Sequence, residues 1–278
     1  MVRIAGPALD FLVLHLYYPA ASQARVSFTS PTWLTATMAA AQQTVANIEQ
    51  LRVVIAAISP RAAQIELVVT EYGILPIGPH EPRYSSTLAN GLYYGDLLMT
   101  LLQHPEFNIT LATAWTLIDG STQEAAIHYD WSTGSRWARP HYYALQLLRH
   151  SLAPNLRRTS VTSPTFGTAQ VGNVSYTLSI PMLGALASTD GGTADGARAQ
   201  PRGDRADPLH LHGYTPQPTA TVRTLTGASL AAHNEDVHMA VTPATSTLSL
   251  AAPTLTYTFP AHSLTLLELQ GSSVPTLA

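Results

Sequence analysis

Three apolar runs, each closed by polar or aromatic groups and each followed by a stretch of helical spacing, constrain this chain more than any other feature. They are LDFLVLHLY at 9–17, IELVV at 65–69 followed by Thr70-Glu71-Tyr72-Gly73, and NITLATAWTL at 108–117. Short continuous apolar runs of this kind are how buried parallel strands read. Pro19 is expected to stop the first of them.

Residues 31–58 open with Ser30-Pro31, a cap followed by proline at the first helical position, and continue through an Ala-rich periodic stretch that fits one or two helices. Helical spacing returns at 85–104, ended by Pro105, and again at 139–151. Strand, helix, strand, helix, strand, helix predicts a parallel sheet with helices packed outside it. Three such units make an incomplete barrel.

After about residue 157 the texture changes. Thr, Ser, Val and Pro dominate, and the short runs YTLSI, LHLHGY, ATVRTL, LTYTF and SLTLLEL are separated by turn residues. That pattern predicts an antiparallel β-sandwich. The expected fold class is therefore α/β plus all-β: residues 1–156 as the C-terminal part of a (β/α)8 TIM barrel, then 157–278 as a jelly-roll-like sandwich. The stretch 188–207, rich in Gly, Asp, Ala and Arg without apolar spacing, is expected to be an exposed, flexible loop.

Composition narrows the function. All 14 basic residues are arginine, charged residues are 11% of the chain and the net charge is −3, so there is no concentrated basic face for nucleic acid. With no cysteine, disulfides and thiolate metal sites are excluded. Asp10 and His15 interrupt the apolar N-terminal run, so no signal peptide is legible and no stretch is long enough to span a bilayer. The expectation is a soluble protein, cytoplasmic by default, without a membrane partner.

Catalytic groups in αβ barrels gather at the C-terminal ends of the strands. Glu71 follows the second run there, and His15 and Tyr17, two apart on the first, share a face. Trp115 closes the third run and reads either as core or as an apolar wall. Asp10 and Glu66 precede their strands, where a structural role is expected. His210 and His212 alternate but have no third ligand, so no metal is predicted, and no cofactor. Asn108-Ile109-Thr110 and Asn173-Val174-Ser175 match glycosylation sequons, which matter only in a eukaryotic secretory setting.

An ordered set of motifs carries a family resemblance. It comprises Asp10-Phe11-Leu12-Val13-Leu14-His15-Leu16-Tyr17-Tyr18-Pro19, Val69-Thr70-Glu71-Tyr72-Gly73, Ala112-Thr113-Ala114-Trp115 and Arg139-Pro140-His141-Tyr142-Tyr143-Ala144-Leu145-Gln146-Leu147. In the second half come Leu225-Thr226-Gly227-Ala228-Ser229-Leu230-Ala231-Ala232-His233-Asn234 and Pro260-Ala261-His262-Ser263-Leu264. From about residue 9 to 269 the chain resembles the C-terminal part of the glycoside hydrolase family 51 α-L-arabinofuranosidases.

The resemblance implies a retaining α-L-arabinofuranosidase acting on terminal arabinofuranosyl groups of arabinan, arabinoxylan or derived oligosaccharides. Glu71 would be the nucleophile and His15, Tyr17 and Trp115 substrate-binding residues. It also implies a homo-oligomer. The family's acid/base glutamate follows an asparagine on an earlier strand that has no counterpart here; Asn234-Glu235 lies in the sandwich motif and does not take that place. Retaining glycosidases need two carboxyl groups about 5 to 5.5 Å apart. A catalytically incompetent fragment that binds sugar or assembles with a partner is the alternative. A related xylosidase or endoglucanase is a third reading, which the sandwich motif disfavours.

Overall fold

The computed structural model describes residues 4, 8–20, 27–75, 83–120, 124–177, 179–190, 193–200, 205–212, 214–235, 238–250 and 254–273. Strand β1 (Phe11–Ala20) leads to helix α1 (Pro31–Ile58), strand β2 (Glu66–Leu75), helices α2 (Arg83–Ser86) and α3 (Leu88–Leu102), and strand β3 (Ile109–Ala114). The strands form a three-stranded parallel sheet in the order β1-β2-β3. Leu16, Leu67 and Val69 are buried in one core with Trp33, Met38 and Ile48 of α1 and Leu92, Tyr93 and Tyr94 of α3. Phe11, Val13 and Leu111 are each about half exposed. The sheet therefore has one covered face and one open face.

β1 runs through Pro19 to Ala20, beyond its expected end. Proline is tolerated because β1 is an edge strand, pairing among the described residues only with β2. Its other edge is stapled by Asn173, whose side-chain amide donates to the Tyr17 carbonyl at 2.8 Å and whose side-chain oxygen accepts from the Ala20 N–H at 2.7 Å. That engagement gives the sequon asparagine a structural task.

α1 is a single 28-residue helix. The start of α3 is held by the sandwich motif: the Leu88 and Ala89 N–H groups donate to the carbonyls of Ala232 and Leu230 at 2.7 and 3.0 Å. These are groups a helix N-terminus otherwise leaves unpaired. Gly91 allows α3 to meet the next helix closely, since a Cβ there would lie 2.8 Å from Pro140 Cβ.

After β3, a small sheet of β4 (Ile118–Asp119), β5 (Ile127–Tyr129) and β6 (Arg136–Ala138) precedes helix α4 (Pro140–Ser151). The remaining elements are β7 (Asn155–Arg157), β8 (Thr165–Phe166), β9 (Ile180–Pro181), β10 (Gly184–Thr189), β11 (Thr193–Gln200), β12 (Arg205–His210) and β13 (Tyr214–Thr226). The chain continues through β14 (Asn234–Glu235), β15 (His238–Met239), β16 (Pro243–Ser249), β17 (Thr254–Phe259) and β18 (Ser263–Ser273). A six-stranded antiparallel sheet has the order β16-β13-β18-β11-β10-β7. The β12–β17 ladder packs on it through Leu209 and Phe259 against Val222 and Leu267. On the helical side, Leu186, Leu225 and Leu264 join the same core as α3 and α4. The architecture is mixed α/β and mostly sheet.

The expected loop at 188–207 is corrected where the structure describes strands, while its residues 191–192 and 201–204 lie outside the described residues. Residues 193–200 form an interior strand, paired with β10 on one side and β18 on the other, and 205–210 form β12. Its Gly, Asp and Ala residues are poor strand formers in isolation, but two flanking ladders satisfy the backbone regardless of side chain. Among the described residues no helix is long and apolar enough to cross a membrane.

Candidate functional site

The position of Glu71 depends on an irregularity in β2. In parallel pairing with β1 the register runs Leu14↔Val69 and then His15↔Glu71, skipping Thr70, and against β3 it runs Val69↔Ala112 and then Tyr72↔Ala114. One extra residue in β2 thus opposes both neighbours, which is the geometry of a β-bulge. Without it, strict alternation would put Glu71 on the face of Leu67 and Val69, both fully buried. With it, Glu71 turns to the open face, and Tyr72 turns inward to pack on Tyr94 with ring centroids 5.1 Å apart.

His15 and Tyr17 alternate with the buried side of β1 and reach the same open face. The Tyr17 hydroxyl donates to Glu71 Oε2 at 2.6 Å, and His15 Nδ1 lies 3.4 Å from that same oxygen. Among the described residues nothing pairs with Glu71 Oε1. Burial, then the Glu71 carboxylate, hold the Tyr17 phenol above its ordinary value, so it remains a donor. The Glu71 side chain is 25% exposed and that of His15 50%, so the carboxylate is reachable from the open face. Gly73, within β2, leaves room for Tyr94: a Cβ there would lie 2.7 Å from the Tyr94 hydroxyl.

Trp115, just beyond β3, is 44% exposed, and its backbone N–H donates to the Tyr72 carbonyl at 3.2 Å. Its indole hydrogen-bonds the carboxyl group of Glu124. Glu124 was not singled out from sequence, because the segment between β4 and β5 has neither periodicity nor a motif. Burial, helped by the neighbouring Asp119 carboxylate and to a lesser extent by Glu71, raises its carboxyl above the usual range; Arg139 and the Trp115 hydrogen bond oppose that.

Beneath these residues lies a buried polar network. Arg139, 1% exposed, donates from Nε and Nη2 to the two carboxylate oxygens of Glu235, each at 3.1 Å. The only Asn-Glu pair of the sequence is thus consumed structurally, and Asn234 is likewise tied to the Ala138 and Val241 backbones. His141 is held neutral, its imidazole lowered to about 3 by burial and then by Arg139. Asn90 donates to its Nδ1 at 3.2 Å, which assigns the proton to Nε2, the atom that meets the Glu124 carbonyl at 3.2 Å.

The other singled-out groups lie away from this site. Asp10 pairs with Arg61 at 3.2 Å and Glu66 accepts from Thr110 at 2.9 Å, both at the opposite end of the sheet. His210 and His212 stack with centroids 6.4 Å apart. Among the described residues no group of three or more metal-ligating side chains is assembled.

Comparison with known proteins bears on this arrangement. A sequence model of the family described as the α-L-arabinofuranosidase C-terminal domain matches residues 70–263. Similar solved structures include α-L-arabinofuranosidase from Thermotoga maritima, in an arabinose complex, with TM-score 0.81 and 20% identity over 97% of this chain and 54% of that one. The thermostable GH51 enzyme from Thermotoga petrophila RKU-1 gives 0.80, 20%, 97% and 54%. The GH51 arabinofuranosidase of Xanthomonas axonopodis pv. citri gives 0.68, 19%, 97% and 55%. The chain spans about half the length of these proteins, and at such identities the likeness bears on the fold. No curated protein matches it.

Proposed function

The chain belongs to the glycoside hydrolase family 51 α-L-arabinofuranosidases, as their C-terminal region, and from that premise we propose that it carries the nucleophile side of a retaining active site. The three β–α units are then the last part of a (β/α)8 barrel, and the open face of their sheet is the barrel interior. Glu71 Oε1 attacks the anomeric carbon of a terminal α-L-arabinofuranosyl group, the bond to the leaving oxygen breaks, and a covalent glycosyl-enzyme forms. A proton for the leaving oxygen comes from an acid/base carboxyl that lies outside this chain. The same carboxylate then takes a proton from water, which attacks the anomeric carbon and frees Glu71, with overall retention.

The observation that carries this reading is the one-sided binding of Glu71. Tyr17 and His15 both address Oε2, which fixes the carboxylate and leaves Oε1 without a partner among the described residues. Trp115 forms an apolar wall for the sugar at the end of β3. The substrates are terminal arabinofuranosyl linkages in arabinan- or arabinoxylan-type glycans.

A second reading, sugar binding or assembly with a partner without turnover, is favoured by one feature. Phe11, Val13 and Leu111 expose large apolar side chains on an open sheet to which, among the described residues, no further strand is added beyond β1 or β3.

2,4-Dinitrophenyl α-L-arabinofuranoside separates the two, because its leaving group scarcely needs protonation. Release of dinitrophenolate by the wild-type chain and not by Glu71→Gln is the expected result. No release by a chain that circular dichroism shows to be folded would leave only the binding role.

A further inference from the structure

Glu124 is a carboxyl group that the reaction above leaves without a task, although the fold fixes it with care. Its own carbonyl accepts from His141 Nε2 at 3.2 Å, and the next carbonyl, of Ala125, accepts from Arg139 Nη1 at 3.1 Å. The Ala126 N–H donates to Thr116 at 2.8 Å, and the Ala126 carbonyl accepts from the Arg139 N–H at 2.9 Å. Ala125, Ala126, Arg139 and His141 are all 2% exposed or less. Two buried residues, Arg139 and His141, therefore hold the backbone from which the Glu124 side chain emerges. Hydrogen bonds to three successive carbonyls and the Ala126 N–H, made in a low-dielectric interior, restrict the geometry of this segment.

The side chain is directed at the site. It accepts from the Trp115 indole and lies within electrostatic reach of both Glu71 and Tyr17. Trp115, its partner, is partly exposed beside them.

We propose that Glu124 is a sugar-binding residue of the same site: its carboxyl group hydrogen-bonds a hydroxyl of the furanose whose anomeric carbon faces Glu71, and it holds the Trp115 indole beside that ring. Arg139 and His141 are positioning residues that act through it. The proposal rests on the arabinofuranoside reading of the Glu71 site.

The test is a titration of the isotope-labelled full chain with L-arabinose, following the indole N–H signals of Trp33, Trp115, Trp131 and Trp137 by NMR, with Trp115→Phe for assignment. In the wild type the Trp115 signal is expected to move with arabinose. In Glu124→Ala it moves before any sugar is added, and the dissociation constant rises roughly tenfold or more, the worth of a charged or strong polar hydrogen bond. Glu124→Gln, which keeps an acceptor for the indole, falls between. Unchanged signals of Trp33, Trp131 and Trp137 show that the variants are folded.

The proposal is overturned if Glu124→Ala and Glu124→Gln bind arabinose as tightly as wild type, or if the wild-type Trp115 signal ignores the sugar. Dinitrophenolate release, measured in parallel, separates the two readings. Release without any Trp115 response sinks the Glu124 assignment and leaves Glu71 as nucleophile; loss of both removes the site altogether.

Discussion

Removing the Glu235 side chain should cost more stability than any other single truncation among the charged groups. Glu235→Ala leaves the Arg139 guanidinium 1% exposed without the carboxylate of Glu235, beside the Ala125 carbonyl and a 3.4 Å contact to His128 Nδ1. Two charge-assisted hydrogen bonds of 3.1 Å are lost, and the buried cation loses its bidentate carboxylate. Breaking a buried pair from one side costs about 3 to 5 kcal/mol. Replacing both partners, as in Arg139→Met with Glu235→Leu, removes the charge along with its partner and should recover a large part of that loss. Urea unfolding of wild type, both single variants and the double variant measures the coupling directly. A Glu235→Ala cost below about 1 kcal/mol, in the range of an exposed surface pair, would refute the view that this pair clamps the segment carrying Glu124.

Three further outcomes are expected. Tyr17→Phe removes the 2.6 Å hydrogen bond to Glu71 Oε2 and should slow the dinitrophenolate burst by about ten- to a hundredfold, in line with about 1.5 to 3 kcal/mol for a hydrogen bond to a charged group; stopped-flow absorbance checks it. Gly73→Ala drives a methyl group to within 2.7 Å of the Tyr94 hydroxyl, whose ring is wedged between Tyr72 and His141, and should destabilise by about 1 to 3 kcal/mol in thermal unfolding. Asp96 on α3 has its carboxyl pushed up to about 7 by burial, so the folded chain holds that proton more tightly than the unfolded one. Its contribution is therefore fully present below the ordinary aspartate range and lost as pH rises to about 7. Asp96→Asn should flatten that decline, and denaturation curves at pH values on either side of the window, for both chains, show whether it does.

Much of the helical half was legible because each strand and helix carries its own periodicity. The runs at 9–17, 65–69 and 108–117 all became strands of one parallel sheet. What they did not reveal is the bulge at Thr70, and hence the face to which Glu71 points: a bulge is a mismatch between two strands and has no signature in either alone. Pro19 was expected to end β1, yet the strand survives because its proline sits where no ladder hydrogen bond is required. The stretch 193–200 looks like a loop by composition and is held as a strand by two neighbours distant in sequence. Glu124 was invisible for a related reason. One signal did point toward it: Arg139 in the Arg-Pro-His-Tyr-Tyr motif is an arginine at the start of an amphipathic helix, and an arginine buried there requires a carboxylate and carbonyls around it. Glu235 and Ala125 are those partners.

Locating the covalent adduct tests the central claim most directly. The chain would be incubated with 2,4-dinitrophenyl α-L-arabinofuranoside, quenched in acid, digested and sequenced by tandem mass spectrometry. The account predicts one anhydro-pentose esterified to Glu71 and none in Glu71→Gln. An adduct on Glu124 or on any other carboxylate, or a folded wild-type chain that releases dinitrophenolate with no sugar at Glu71, would contradict it.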